Sequence, residues 1–340
     1  MPTSLFPPLK IGRFSFDTPL IQAPLSGYSD APMRRLARQF GASFALCEVF
    51  LDQFILDVSK RSKARLYLAV RDTDKPAGAQ LMGASSEEFV LAAQRLLEFG
   101  FDIIDLNFAC PVKKVVGKRR GGYLLADPEC ALGIAKNVRN SLPADVPVTV
   151  KLRRGYDESQ ESQDAFWNIL GGLLDIGIDG VAVHGRTVVQ RYLGTADWFF
   201  LSQFKEFVAH RRYCHHVPVI GCGDLFSAET VIKRMRETGV DGVALARGII
   251  GNPWLFSQTK AAMEGREIPA PPTLLEQKET IASHFQAVLD LYGEGRATTV
   301  MRKFGVAYSK LHPNSERLRM EFVTCKSAER WFQILDEYYR

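Results

Sequence analysis

The sequence predicts an α/β fold, a closed (β/α)8 TIM barrel followed by a small C-terminal helical domain. Three observations predict it. Short β-rich runs alternate with helix-length segments over about the first 255 residues, the pattern of βαβ units and a parallel sheet. Polar residues gather directly after those runs, where a parallel barrel builds its site. Past Phe256 a Pro-rich break leads into helical segments without any strand-like run. A doubly wound open sheet shares the alternation, and the count of eight runs is what points to closure.

The runs, in order, are Leu20–Ala23, Phe44–Glu48, Ala77–Met82, Ile103–Asn107, Val148–Leu152, Gly180–His184, Pro218–Gly221 and Gly242–Ala246. Between them lie helical patterns: Ala31–Phe40, Ser86–Phe99 with Ser85-Ser86-Glu87-Glu88 as its cap, Pro128–Asn140 and Ser227–Thr238. The break Ile268-Pro269-Ala270-Pro271-Pro272-Thr273 precedes a helix over Leu274–Leu291. The expected division is therefore a barrel over 1–258, a linker over 259–273 and a helical domain over 274–340.

Composition is that of a globular protein: 340 residues, 46% hydrophobic, 24% charged and 11% aromatic. No stretch approaches the ~18 apolar residues of a membrane span, and Met1-Pro2-Thr3-Ser4 with the broken Phe6-Pro7-Pro8-Leu9 predicts no secretory leader, hence a cytoplasmic protein. The six cysteines form no C-x-x-C pair and no disulfide pattern. Cys47, Cys130 and Cys325 fall inside predicted elements, and Cys214-His215-His216 lacks the further ligands of a zinc site.

The net charge of +5 is unevenly placed. Arg296–Arg340 holds nine Lys/Arg against five Asp/Glu and so supplies most of the excess. Two inner clusters add local positive fields: Lys60, Arg61, Lys63, Arg65 and Arg71, then Lys113, Lys114, Lys118, Arg119 and Arg120 with no acid between them.

At the strand ends stand Pro24-Leu25-Ser26-Gly27, Glu48, Gln80, Asn107 to Pro111, Lys151 with Arg153, His184-Gly185-Arg186, Gly221 to Asp224, and Arg247-Gly248. Each has a structural explanation taken alone; their joint placement on one face makes a site. The glycine turns after runs seven and eight, with Arg247 beside them, lie where barrels hold phosphate. Lys151 on a neighbouring strand suits the negative charge of a reduced flavin ring, which makes FMN the candidate cofactor. No βα turn carries a convincing G-x-G-x-x-G for a dinucleotide. Cys110 follows the fourth run on a loop able to cover substrate and could donate a proton. Lys113 and Lys114 beside it could lower its pKa or hold a phosphate backbone.

These residues resemble the tRNA-dihydrouridine synthases, most of all the bacterial B-type branch. The carriers are Ala23-Pro24-Leu25-Ser26-Gly27-Tyr28-Ser29-Asp30, similar to A-P-M-x-G-x-T-D, and Asp105 to Val115, similar to D-x-N-x-G-C-P-x-K-K-V. Val150 to Arg153, Val183 to Thr187, Pro218 to Asp224 and Ala246 to Phe256 follow in the family's order, and Met301 to Phe304 is similar to the R-K-H segment of its helical RNA-binding domain. The resemblance implies an FMN-bearing barrel that reduces the C5=C6 bond of uridine in tRNA, its partner, with NADPH recharging the flavin, in a monomeric cytoplasmic protein. It implies Cys110 as the acid protonating C5. Pro24, Leu25, Ser26, Gln80, Lys151, His184, Cys222, Gly223, Asp224, Ala246 and Arg247 would line the flavin. Asn107, Arg153, Lys113, Lys114, Arg186, Arg302 and Lys303 would meet the uracil or the tRNA. Three positions depart from the family's pattern: Cys222 replaces the Asn of G-N-G-D, Ala109 the Gly of G-C-P, and Phe304 the His of R-K-H. A flavin enzyme of the dihydroorotate dehydrogenase kind would share the barrel, the FMN and the loop residue, but would not need a basic helical tail.

Overall fold

A computed structural model describes residues 4–58, 68, 70–210 and 217–340. Eight parallel strands close a barrel: β3 (Leu20–Gln22), β4 (Phe44–Leu51), β5 (Ala77–Met82), β6 (Ile103–Phe108), β7 (Val148–Arg153), β8 (Gly180–His184), β9 (Val219–Cys222) and β10 (Gly242–Leu245). Closure is direct, because β10 pairs with both β9 and β3. The open-sheet alternative is thereby excluded. A preceding antiparallel hairpin, β1 (Leu9–Ile11) and β2 (Phe14–Phe16), is absent from the sequence-based expectation.

The period-2 alternation of the strands decides what the lumen contains. In β6, Ile104, Leu106 and Phe108 face the helices, while Ile103, Asp105 and Asn107 face inward; in β7, Val148, Val150 and Leu152 face out and leave Thr149, Lys151 and Arg153 inside. The lumen floor is apolar: Ile21, Phe44, Leu46, Ile103 and Ile220 meet Leu9, Ile11 and Phe16 of the hairpin, with Phe16 and Phe44 ring centroids 5.4 Å apart. The polar residues lie above this floor, toward the carboxyl ends of the strands.

The shell helices are α1 (Ala31–Gln39), α2 (Asp52–Asp57), α3 (Ser86–Glu98), the single turn α4 (Lys113–Val116), α5 (Pro128–Ser141), α6 (Gln160–Ile176), α7 (Trp198–His210), α8 (Ala228–Thr238) and α9 (Trp254–Met263). Their starts follow capping chemistry: Asp30, Ser85, Asp127, Ser159 and Ser227 each accept the backbone N–H of the third helical residue. Helix α9 carries on to Met263, so residues 259–263, expected in the linker, belong to a helix. Residues 266–273, in no helix or strand, follow.

Thr273 and Glu276 form a capping box that opens α10 (Leu274–Tyr292), which α11 (Glu294–Tyr308), α12 (Ser315–Thr324) and α13 (Ala328–Tyr338) follow. Their core is aromatic, with Phe285 stacked on Trp331 at 4.6 Å and Phe322 also 4.6 Å from Trp331. This region packs on the barrel through α10 against α1. The turn at Gly251 touches α11 so closely that a Cβ there would stand 2.3 Å from the carbonyl carbon of Ala307. Among the described residues no helix is long and apolar enough to cross a membrane.

Candidate active site

A hydrogen-bond ladder climbs the inside of the barrel. Thr149 Oγ1 and Gln80 Nε2 each donate to Asp105, both at 2.5 Å; Asn107 Nδ2 donates to Gln80 Oε1 at 2.7 Å. Asn107 Oδ1 then accepts the backbone N–H groups of Ala109 at 3.0 Å and Cys110 at 2.9 Å. Burial raises the carboxyl of Asp105 above its ordinary pKa, against the pull of Thr149, Gln80 and Lys151. Gln80 and Asn107 line the cavity, yet each uses its amide to hold the wall and the Cys110 loop.

Two further contacts fix that loop. Arg153, buried, donates Nε to the carbonyl of Ala109 at 2.9 Å and Nη1 to the carbonyls of Thr187 and Arg191, both at 2.8 Å. Gly122 N–H donates to the Cys110 carbonyl at 3.0 Å, and Gly121 (φ +58°) lies so near that a Cβ there would come 2.8 Å from Cys110 Cβ. The thiol of Cys110 is partly buried, and burial raises its pKa despite the Val112 N–H and the Arg153 charge. The expectation that Lys113 and Lys114 lower it is corrected: both are exposed on α4, and neither is among the groups that shift the thiol.

Across the cavity, Lys151 Nζ lies 3.2 Å from Cys222 Sγ, and the Cys222 thiol faces the Val183 carbonyl at 3.3 Å. His184 Nδ1 accepts the Arg186 N–H at 3.2 Å, which places the proton of the neutral ring on Nε2. Burial first, then the charges of Lys151, Arg153, Arg186 and Arg247, push its pKa down to about 2. The neutral ring lies among four cations, two of which, Arg186 and Arg247, are ion-paired to Asp224.

Asp224, in a left-handed turn at φ +53°, anchors the rim. Arg186 grips it twice, at 2.9 and 2.7 Å, and Arg247 reaches it at 3.2 Å. Burial works against its charge, but the hydrogen bonds from Arg186 and Ala196 and the two guanidinium fields outweigh it and hold the carboxyl below its ordinary range. Arg247 remains half exposed at the mouth, 4.7 Å from the Tyr192 ring centroid and 5.7 Å from that of Phe226. The turn beside it is tight, since a Cβ on Gly248 would meet the Leu225 carbonyl oxygen at 2.3 Å.

The structure brings together in one cavity Pro24, Leu25, Ser26, Gln80, Asn107, Cys110, Lys151, Arg153, His184, Cys222, Gly223, Asp224, Ala246 and Arg247. Other expected residues stand elsewhere. Arg186 is buried behind Asp224, its Nε on the Leu193 carbonyl at 3.0 Å, so it positions the rim and is closed to substrate. Lys303 on α11 donates to the Gly27 carbonyl, behind the cavity wall. Arg302 is half-buried, with an Nε that has no hydrogen-bond partner among the described residues. Phe304 is core, edge-on to His284 and Tyr28, and occupies no surface from which to touch RNA. Glu48 sits at a register shift inside β4, with its carboxylate turned to Gly27 N–H at 2.7 Å, so it does not end its strand. Lys60, Arg61, Lys63, Arg65 and Cys214-His215-His216 lie outside the described residues. Sequence reasoning missed Tyr192 and Phe226, which sit in loops several residues beyond their strands and carry no motif.

The donor set fits FMN: a glycine turn with Arg247 for a phosphate, and a Lys151 ammonium whose neighbour Cys222 is a weak sulfur acceptor.

The model of the family described as "Dihydrouridine synthase (Dus)" matches residues 21–339. A probable tRNA-dihydrouridine synthase of Rickettsia conorii is 34% identical over 92% of this chain and 90% of its own length. The tRNA-dihydrouridine synthase B of Xanthomonas campestris pv. campestris is 29% identical over 97% and 96%. Among solved structures, a 2-naphthoyl-CoA reductase complex aligns with a TM-score of 0.59 at 14% identity, over 78% of this chain and 53% of that one. Histamine dehydrogenase from Rhizobium sp. 4-9 aligns at 0.53 and 18%, over 83% and 50%. The chain spans about half the length of these two structures, and they speak for the barrel alone. With the family model matched over nearly its whole length and curated relatives aligned end to end, the chain belongs to the dihydrouridine synthase family.

Proposed function

We propose that this protein is a flavin-dependent tRNA-dihydrouridine synthase that reduces the C5=C6 bond of a tRNA uridine, with FMN as its cofactor and NADPH as the reductant. The observation that carries the reading is one cavity with a protonated, loop-borne thiol at Cys110 on one side and the Lys151 ammonium on the other. The family membership and the names of the relatives support the substrate.

FMN, when bound, supplies the hydride for C6. Arg247 and the backbone of the Gly223 and Gly248 turns would hold its phosphate. Lys151 would face the ring where negative charge accumulates, and His184 would offer Nε2–H to an acceptor. Pro24 to Ser26 and Ala246 would shape the wall.

Cys110 completes the reduction by giving its proton to C5, leaving a thiolate that solvent reprotonates. A raised thiol pKa suits this role, since it keeps the acid loaded at neutral pH. Asn107 and Arg153 hold the loop that presents it. The uridine must leave the RNA stack to reach the cavity. Exposed Lys113, Lys114, Lys118 and Arg119 beside the mouth can hold phosphates while it does, as can Arg302 and the basic tail. Action as a monomer is part of the same proposal.

The test is the dihydrouridine content of tRNA lacking the modification after incubation with the purified protein, FMN and NADPH, beside Cys110→Ala. Formation by the wild type and its loss in the variant is the expected result. NADPH oxidation by a flavin-loaded protein that leaves this tRNA unchanged would overturn the tRNA reading.

A further inference from the structure

The first residues of the loop 24–29, Pro24 to Ser26, form one wall of the cavity, and the loop's own hydrogen bonds are few: Leu25 N–H donates to Ser29 Oγ at 2.8 Å, and Tyr28 and Ser29 N–H both reach the Leu25 carbonyl. At its apex stands Gly27 with φ +77°, a conformation that glycine adopts without strain. The Gly27 peptide units are clamped from two sides. Glu48, in the barrel wall, accepts the N–H at 2.7 Å. Lys303, from α11 of the helical region, donates to the carbonyl.

Lys303 is built for this contact. Its ammonium lies 4.7 Å from the Tyr28 ring centroid and 5.5 Å from that of Phe304. Burial lowers its pKa, while the carboxylates of Glu48 and Asp30 nearby favour its charge. A second tie from the helical region, the Tyr292 hydroxyl to Asp30 Oδ2 at 3.2 Å, reaches the cap of α1 and leaves Gly27 untouched. An ammonium placed to bind RNA would face water; this one faces a loop carbonyl.

We propose that Lys303 is a positioning residue of the cofactor site: by holding the Gly27 carbonyl it fixes the Pro24–Ser26 wall, which makes the C-terminal helical region part of the flavin-binding apparatus. The inference rests on the FMN reading above.

The experiment uses the full chain with Lys303→Met, Lys303→Arg and Tyr292→Phe. FMN affinity is read by quenching of flavin fluorescence, and amide hydrogen exchange over residues 24–29 is measured without flavin. Lys303→Met is expected to weaken FMN binding on the order of tenfold, the loss of one charge-assisted hydrogen bond, and to speed exchange in that loop. Lys303→Arg keeps a cationic donor and should stay within about threefold of wild type. Unchanged affinity and unchanged exchange in Lys303→Met would overturn the proposal while wild-type FMN binding stands. An equal loss in Tyr292→Phe would overturn it as well, by assigning the effect to general loosening of the helical region. A wild-type chain that binds no FMN removes the cofactor reading and this inference with it. If Lys303→Met does not fold, Lys303→Gln carries the same comparison.

Discussion

The side-chain oxygen of Asn107 accepts the backbone N–H of Cys110 at 2.9 Å, so a residue of the barrel wall sets where the thiol stands. Asn107→Ala removes that acceptor and orphans Gln80 Oε1 as well. It is expected to lower kcat on the order of a hundredfold through misplacement of the acid, and to cost about 1–3 kcal/mol of stability for the unsatisfied buried groups. Single-turnover rates and denaturant unfolding check the two parts separately.

As the proposed acid, Cys110 can act only while protonated, and burial holds its pKa above the ordinary thiol range. The acid is therefore present at low and neutral pH and is lost as pH rises through that raised value. The kcat profile should be flat through neutrality and fall only in the alkaline range. Lys113→Gln with Lys114→Gln should leave the alkaline limb where it is, because those side chains do not set it, while raising KM for tRNA and flattening its salt dependence.

Gly121→Ala tests the loop without touching a polar group. The new methyl group would need a left-handed backbone and would press on Cys110 Cβ. A fall in turnover on the order of tenfold or more with FMN affinity preserved is expected; an equal loss of FMN would place Gly121 in the cofactor site instead.

Two histidines, His184 and His284, should stay neutral throughout the physiological range. His184 is pushed down to about 2 and His284 to about 3, chiefly by burial, with the cations around the cavity and Lys303 adding to it. Neither ring should titrate between pH 5 and 8 in nitrogen-detected NMR. Because the unfolded chain takes up these protons near pH ~6.5 and the folded chain does not, each histidine makes stability fall as pH drops below that value, by up to ~1.4 kcal/mol per pH unit. Arg247→Ala should weaken FMN binding about tenfold to a hundredfold, the range for a hydrogen bond to a charged group.

Much of the barrel is legible in the residues because period 2 survives where it matters: Ile103-Ile104-Asp105-Leu106-Asn107-Phe108 reads as one apolar outer face and one inner face that turns polar toward the rim. The hairpin at Leu9–Phe16 is not legible, since strands of three residues carry no period. Cations were the least readable. Arg153, Arg186 and Lys303 each have the right charge for RNA or phosphate, but what decides their role is a backbone carbonyl or a carboxylate contributed by a distant segment. Phe304 illustrates the converse: its neighbours in the chain are basic, yet the helix turns it into the core.

The hairpin that closes the floor turns the barrel into a blind well. Among the described residues the cavity is bounded by the apolar floor below and by Cys110, Tyr192 and Arg247 among the residues of its upper lining. Under the proposed reading, reductant and base would share this doorway, and double-reciprocal plots of rate against NADPH at several tRNA concentrations should run parallel, the signature of visitors that alternate and never meet.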